Sequence, residues 1–206
     1  MEAAILVGGQ ARRFGGRDKS ALRIGSTTIL ERQIAVLGPL ADRVFIVASG
    51  RGRVDARGLA VVLDRMPGTG TLGAVYTALS ASTGELTLVV ACDMPFLSGP
   101  FLAHMAAAVT GDVDVVIPRT VDGYQPLCAL YARRSLIPIR RRIEAGQLKV
   151  LDLLADVRVR EIGASEIARY DPDGTLFLNV NTPEDYVRAL ALASQRERHV
   201  RERSHS

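Results

Sequence analysis

The chain has 206 residues, of which 48% are hydrophobic and 23% charged, a composition typical of a folded domain that needs no disulfide or metal to build a core. Its longest apolar stretch, 86–92, is far too short to cross a membrane, and the N-terminus lacks the basic segment of a secretory signal. The net charge of +4 does not favour nucleic acid as a partner. Four arginines against two glutamates in 194–206 account for half of that charge, and aromatic residues make up only 5% of the chain.

Short apolar strands alternate with longer helical stretches along the chain. In chain order the pattern predicts a strand at 3–7, a helix at 29–37, strands at 44–48 and 59–63, a helix at 72–79, a strand at 86–92, a helix at 101–109, strands at 113–117 and 126–131, helices at 135–144 and 148–154, an edge strand at 157–162, and a helix from Thr182 to about Ala193. This alternation predicts a three-layer α/β fold with a mostly parallel central sheet.

Residues 1–193 are predicted to form a single domain, and 194–206 a charged, disordered tail with one apolar residue, Val200. Cys92 and Cys128 both lie in apolar runs, which indicates reduced core thiols and a cytoplasmic location. Only two of the 26 basic residues are lysines, Lys19 and Lys149. In so arginine-rich a chain a lysine indicates a need for a compact ammonium group, although chance explains two cases equally well.

The first strand leads into a loop rich in glycine and in positive charge. After Gly8-Gly9 the loop contains Arg12, Arg13, Gly15, Gly16, Arg17, Asp18 and Lys19. Glycines let backbone N–H groups approach an anion, and the cations can neutralise a chain of phosphates. No Gly-Lys-Ser/Thr follows at the spacing of a P-loop. Because the loop directly follows a buried strand, we favour a phosphate-binding loop over a solvated surface loop.

A second glycine-rich segment, 68–73, formally matches the dinucleotide fingerprint Gly-x-Gly-x-x-Gly. Four residues, 64–67, separate it from the preceding strand, whereas the fingerprint requires an immediate tight turn. The segment also does not belong to the first strand–helix unit of the chain, which already contains the glycine-rich loop described above. We therefore favour a loop that lines the same cleft over a nicotinamide or flavin site, or over a turn with close helix packing.

Two strands end in aspartates, Asp64 and Asp93. A carboxylate at the end of a central strand is well placed to hold Mg²⁺ together with nucleotide phosphates, and we assign that role to Asp93. The alternative is that Asp93 caps the next helix, but Ser98 lies nearer to its start. Asn179 and Asn181 are two residues apart in an extended segment, so they either face a polar substrate together or close a turn.

Taken together, these stretches resemble the molybdenum cofactor guanylyltransferases of the sugar-nucleotidyltransferase-like (GT-A-type) α/β superfamily. The motifs that carry the resemblance are the Leu6–Lys19 loop, the strand-end Asp64, Cys92-Asp93-Met94-Pro95 and Asn179-Val180-Asn181-Thr182-Pro183-Glu184-Asp185. It extends to about Ala193. Paired glycines at Gly8-Gly9 favour the guanylyl branch over the cytidylyl relatives. The resemblance implies a Rossmann-like nucleotide-diphospho-sugar transferase fold.

The resemblance also implies roles for individual residues. The implied nucleotide-binding residues are Leu6, Val7, Gly8, Gly9, Lys19, Asp64 and Asp93. The implied catalytic residues are Lys19, Arg13 and Asp93, of which Asp93 also binds Mg²⁺; Gly16 and Asp18 fall in the same phosphate loop. The implied residues for the pterin substrate are Asn179, Asn181 and Lys149. Departures from the family pattern occur at 70–74 and at Ser49, near the expected base and nucleotide contacts.

The implied activity is transfer of GMP from GTP to the terminal phosphate of molybdopterin, with release of pyrophosphate and with Mg²⁺ as cofactor. The implied partners are GTP, molybdopterin and enzymes that process or accept molybdopterin, without nucleic acid or membrane. The alternatives are a related nucleotidyltransferase that uses CTP or a sugar phosphate, and a nucleotide-binding module without catalytic activity.

Overall fold

The structure is a computed structural model that describes residues 1–8, 19–50 and 55–203, apart from the side chains of Lys19 and of 199–203. The described strands form an eight-stranded sheet and a separate two-stranded hairpin. They are β1 (Glu2–Val7), β2 (Arg23–Ile24), β3 (Thr27–Thr28), β4 (Arg43–Ala48), β5 (Ala60–Leu63), β6 (Leu86–Ala91), β7 (Val115–Thr120), β8 (Gly123–Tyr124), β9 (Cys128–Ala132) and β10 (Val159–Ile162).

The helices of the described residues alternate with these strands, as the apolar pattern predicts. They are α1 (Ile29–Leu37), α2 (Gly70–Ala81), α3 (Gly99–Ala107), α4 (Leu136–Glu144), α5 (Ala164–Ile167) and α6 (Pro183–Arg203). Short 3₁₀ segments lie at Lys19–Ala21, Arg133–Ser135 and Val150–Ala155.

The large sheet has the strand order β10-β7-β9-β6-β1-β4-β5, with β8 paired to β7. The strands β6, β1, β4 and β5 are parallel, and β9 runs antiparallel to both β6 and β7. Val7 lies opposite Ala48, and Ala48 opposite Leu63. The carboxyl ends of the parallel strands therefore meet at one edge, and the predicted mostly parallel central sheet is confirmed.

Side chains of β1 alternate between two hydrophobic cores, one on each face of the sheet. Ala3, Ile5 and Val7 pack in the core that includes α1 and α3. Ala4 and Leu6 pack in the core that includes α2 and α4. Helices on both faces of a sheet make three layers, which confirms the predicted architecture.

A third, smaller core joins α6 to the β2–β3 hairpin and to the segment after β6. It contains Ile24, Ile29, Phe96, Val180, Ala189 and Ala193. The Tyr186 hydroxyl also donates a hydrogen bond to the Arg23 carbonyl at 2.7 Å. The last helix is thereby held against the segment that follows the glycine-rich loop.

In the segment from Ser194, predicted to be a charged tail, α6 continues as far as Arg203. The segment contains no glycine or proline to end the helix, and its Arg, Glu and Gln residues are good helix formers. Arg196 also lies over the Phe96 ring, 4.9 Å from its centroid. Residues 204–206 lie outside the described residues.

Other differences concern short elements. The helix predicted at 148–154 is the 3₁₀ segment Val150–Ala155, and the β2–β3 hairpin, β8 and α5 are not predicted. The shortest of these have two to four residues, too few for a periodic pattern to show. By contrast, α1 has the predicted bounds, because Thr28 and Glu31 form a reciprocal capping box at its start.

Both cysteines are buried free thiols, as predicted for core residues. Burial raises the pKa of Cys128 to about 12, so this thiol stays protonated at neutral pH. The strand at 157–162 is confirmed as β10, the strand at one edge of the sheet. Within the ranges described above, no helix combines the length and the apolar character that a membrane span requires.

Candidate active site

A cavity of about 760 Å³ lies beyond the carboxyl ends of the four parallel strands β6, β1, β4 and β5. Five of the predicted nucleotide-binding residues line it: Leu6, Val7, Gly8, Asp64 and Asp93. In open parallel sheets, ligands bind beyond the carboxyl ends of the strands, in the crevice that forms where the strand order reverses direction. The volume falls in the range of small-ligand sites.

Gly8 lies at the point where β1 enters the cavity. A Cβ atom at this position would lie only 2.3 Å from Ser49 Oγ and 2.6 Å from Ser49 Cβ. The Ser49 N–H donates a hydrogen bond to the Val7 carbonyl at 3.1 Å, which keeps the two strand ends together. The close approach of the Ser49 side chain to the backbone at position 8 is therefore the reason why glycine is needed there.

Asp64 is held in place by its own hydrogen bonds. Its Oδ1 accepts bonds from the Thr77 hydroxyl and from the Met66 N–H, both at 2.9 Å. Thr77 lies on α2, is fully buried and also accepts a bond from the Arg65 N–H at 3.0 Å. The aspartate therefore projects from the end of β5 in a set orientation. Thr77 is not among the site residues that the sequence predicts.

The glycine-rich segment 68–73 lines the cavity through Gly68, Gly70 and Thr71. Gly68 and Gly70 have positive φ angles of 86° and 63°, which other residues rarely adopt. A Cβ at Gly73 would lie 2.9 Å from the Met66 carbonyl oxygen, so this glycine allows close packing of α2 on the loop. The prediction of a loop that lines the cleft is confirmed.

Asp93 follows β6 by two residues, in a turn that several parts of the chain hold. The Cys92 N–H donates to the Leu6 carbonyl at 3.1 Å, and the Asp93 carbonyl accepts from the Val180 N–H at 2.9 Å. Asp93 Oδ1 is shielded from solvent. Ser98, not Asp93, caps α3, because its hydroxyl accepts from the Phe101 N–H at 3.4 Å. The capping alternative for Asp93 is thus excluded.

Gln33 contacts the same turn and was not predicted from the sequence. Its Nε2 donates to the carbonyls of Ala91 at 2.7 Å and Met94 at 3.0 Å. The one available signal is its place on α1, four residues from Ile29 and four from Leu37, on a face that is otherwise apolar. A polar residue on such a face indicates a buried polar contact.

The Val180–Asp93 bond brings the segment of Asn179 and Asn181 next to the Asp93 turn. Neither asparagine is among the residues that line the cavity in the described chain. The Asn179 amide donates to the Phe177 carbonyl at 3.2 Å. The backbone N–H of Asn181 donates to Asp185 Oδ2 at 2.9 Å, and this bond, ahead of those from Thr182, lowers the pKa of Asp185.

The structure does not bring every predicted residue to the cavity. Lys149 is exposed just before the 3₁₀ segment Val150–Ala155 and is not among the described lining residues. Lys19 begins the 3₁₀ segment Lys19–Ala21 on the way from the glycine-rich loop to α1. The predicted residues Gly9, Arg13, Gly16 and Asp18 lie outside the described residues.

Known proteins of similar sequence are nucleotidyltransferases, which agrees with a nucleotide site at the carboxyl ends of the strands. A family model described as a MobA-like NTP transferase domain matches residues 3–160. A molybdenum cofactor guanylyltransferase from Desulfosudis oleivorans is 32% identical over 189 residues, covering 91% of this chain and 93% of the relative.

Two solved structures are similar as well. The molybdopterin-guanine dinucleotide biosynthesis protein A of Archaeoglobus fulgidus superposes with a TM-score of 0.78 at 27% identity, covering 95% of this chain and 100% of that one. A 2-C-methyl-D-erythritol 4-phosphate cytidylyltransferase from Thermus thermophilus superposes with a TM-score of 0.66 at 18% identity, covering 93% and 98%. The second similarity concerns the fold alone.

Proposed function

The chain belongs to the family of MobA-like NTP transferase domains, and we propose that it transfers GMP from GTP to the terminal phosphate of molybdopterin, releasing pyrophosphate. The observation that supports this most directly is the cavity, which gathers the ends of four parallel strands and two strand-end aspartates. A relative that covers most of the chain is named for this reaction.

In the proposed reaction, a terminal phosphate oxygen of molybdopterin attacks the α-phosphorus of GTP. One P–O bond forms, the bond to the β-phosphate oxygen breaks, and pyrophosphate leaves with the electron pair. The attacking phosphate is ionised at neutral pH, so no general base is required. The protein's contribution is to bring two anions together and to offset their charge.

The residues fit a divalent cation that is shared with the substrate. No cluster of three His, Cys, Asp or Glu side chains occurs among the described residues, so the ligands that this part of the chain offers are few. Mg²⁺ commonly takes one or two carboxylates and completes its shell with phosphate oxygens and water. Asp93, with one carboxylate oxygen shielded from solvent, would hold it, and the bound ion would offset negative charge on the phosphates.

The resemblance and the cavity together support a role of Asp64 and of the strand end at Leu6–Gly8 in contacting the nucleotide. By resemblance, Asn179 and Asn181, on either side of the residue that bonds the Asp93 turn, would contact the pterin. Lys19 and Arg13 would stabilise the leaving pyrophosphate. Lys149 and the acceptor enzymes are assigned by resemblance alone, and the cytoplasmic location by the free, buried thiols of Cys92 and Cys128.

The decisive experiment incubates the purified protein with Mg²⁺, GTP and molybdopterin. We expect pyrophosphate and molybdopterin guanine dinucleotide in equal amounts, and no pyrophosphate when molybdopterin is left out. A parallel reaction with CTP tests the base, since faster turnover with CTP would assign the chain to cytidylyl transfer. If GTP raises Tm but no pyrophosphate forms in either reaction, the protein is a nucleotide-binding module.

A further inference from the structure

The Asp93 turn lies beyond the last residue of β6, where the hydrogen bond from the Cys92 N–H to the Leu6 carbonyl of β1 links the turn to the sheet. A carboxylate on such a turn is only as well placed as the backbone that carries it. Displacements of about 0.5 Å already matter for a catalytic or metal-binding group. Contacts that hold the turn from outside are therefore of functional interest.

Gln33 supplies such a contact through one nitrogen atom. The two hydrogens of Nε2 point to two carbonyls, Ala91 O at 2.7 Å and Met94 O at 3.0 Å, which lie on either side of Cys92 and Asp93. The orientation of the amide follows from chemistry, because the flipped amide would place an oxygen against two carbonyl oxygens. The side chain is 1% exposed, so water does not compete for these bonds.

The oxygen of the same amide is less well satisfied than the nitrogen. Gln33 Oε1 is buried and has no hydrogen-bond partner among the described residues. Helical spacing favours an apolar residue at this position, between Ile29 and Leu37, both fully buried. A buried amide with one unsatisfied oxygen is destabilising. A leucine would avoid this destabilisation but could not donate hydrogen bonds to the turn. The two donor bonds therefore explain why a glutamine is found at this position.

Gln33 completes a set of contacts on three sides of the turn. Leu6 of β1 accepts from Cys92, and Val180 donates to the Asp93 carbonyl. These two contacts fix Cys92 and Asp93, while Gln33 fixes the residues before and after them. The amide is neutral, so it holds the backbone without competing with a cation for the carboxylate, as a lysine or arginine would.

We propose that Gln33 is a positioning residue that holds the Asp93 turn in the geometry needed to bind a divalent cation with the nucleotide. This inference rests on the proposed metal-binding role of Asp93. Removing outer contacts of a metal ligand typically weakens metal binding by about 10- to 100-fold.

The test measures Mn²⁺ binding by electron paramagnetic resonance in the presence of GTP and without molybdopterin. The variants are Gln33→Met, which keeps the length of the side chain but removes both donors, and Thr28→Ala, which removes the cap of the same helix without touching the turn. We expect about tenfold weaker Mn²⁺ binding for Gln33→Met and unchanged binding for Thr28→Ala, although Tm falls in both. A third variant, Asp93→Asn, shows which part of the Mn²⁺ signal depends on the Asp93 carboxylate.

Unchanged Mn²⁺ affinity in Gln33→Met would overturn the proposal, and so would an equal loss in Thr28→Ala, since the effect would then reflect helix stability alone. If Gln33→Met does not fold, Gln33→Asn is measured instead, and a loss of affinity that exceeds the loss in Thr28→Ala is required. A wild-type protein that binds Mn²⁺ with GTP but transfers no GMP disproves the proposed function and still allows this comparison. A wild-type protein that binds no Mn²⁺ disproves the role of Gln33.

Discussion

Asp64 and Asp93 lie in the same cavity but are held in different ways. The Asp64 carboxylate is oriented by direct bonds from Thr77 and Met66 to its Oδ1. For Asp93, the structure shows bonds that hold the backbone on either side of the carboxylate. Because its carboxylate has a set orientation, we expect Asp64 to recognise one fixed part of the nucleotide.

The contact that orients Asp64 can be removed with little change of shape by Thr77→Val. We expect a rise of about fivefold in the KM for GTP with kcat nearly unchanged, because one hydrogen bond of about 1 kcal/mol no longer orients the carboxylate. Steady-state kinetics of pyrophosphate release measure both constants. Thr87→Val is the matched control, since Thr87 is equally buried on β6 but near the opposite edge of the sheet. Equal effects in the two variants would contradict the role of Thr77.

For Asp93, charge is the property that matters most. Asp93→Ala is expected to lower kcat by on the order of 10²-fold or more, as when other preorganised charges are removed from active sites. Asp112→Ala serves as the control, because Asp112 is an exposed carboxylate in the loop before β7. Near wild-type turnover in Asp93→Ala would show that this carboxylate does not hold the cation.

At the scale of elements, α6 links parts of the chain that are far apart in sequence. The third core places it against the β2–β3 hairpin and against Phe96, three residues after Asp93. Val180, in the segment just before the helix, also belongs to this core and donates to the Asp93 carbonyl. The last helix therefore supports the β2–β3 hairpin and the segment after Asp93, although none of its residues lines the described cavity.

Arg196 tests whether the charged half of α6 belongs to the folded domain. Its guanidinium lies over the Phe96 ring, 3.8 Å from Asp173, and hydrogen-bonds Thr175. Arg196→Ala is expected to cost about 1 kcal/mol of stability, a fall of about 2–4 °C in Tm measured by thermal unfolding. Arg198→Ala, at an exposed position two residues further along, should leave Tm unchanged. A disordered tail would instead make both substitutions silent.

At the scale of the whole molecule, six carboxylates spread over the fold are stabilised in their charged forms. The pKa values of Glu2, Glu31, Asp42, Asp114, Glu166 and Asp185 are all lowered. Glu166 shows the largest effect. A hydrogen bond from Arg160, opposed by burial and supported by His104, lowers its pKa from 4.5 to about 2. This contact joins β10 to α3 and α5.

The lowered pKa of Glu166 makes stability depend on pH in a defined direction. The unfolded chain binds a proton at Glu166 near pH 4.5 and the folded chain only near pH 2, so its contribution is complete above about pH 5 and is lost as the pH falls towards 2. Urea unfolding of wild type and Glu166→Gln at pH 7 and pH 3 measures this contribution. We expect the difference in stability between the two proteins to shrink at pH 3. An equal difference at both pH values would contradict the assignment.

The local pattern of the sequence was sufficient for most elements and for the place of the site. The apolar pattern predicted the main strands and α1, because periodicity is a property of neighbouring residues. The strand-end positions of Gly8, Asp64 and Asp93 predicted a common edge, because parallel strands bring their carboxyl ends together. The packing of α6 beyond Ala193 is not visible in that pattern, because the contact of Arg196 with Phe96 joins residues a hundred positions apart.

The net charge of +4 shows the same difference between what the sequence reveals and what only the tertiary structure reveals. Composition alone shows that half of it lies in 194–206 and that several of the remaining cations gather around the glycine-rich loop. Only the tertiary structure shows that the first part of that terminal segment is a packed helix. It alone also shows that Gln33 and Thr77 hold the turn at Asp93 and the carboxylate of Asp64. The physical reason is that such hydrogen bonds connect distant segments, whereas sequence patterns report on neighbours.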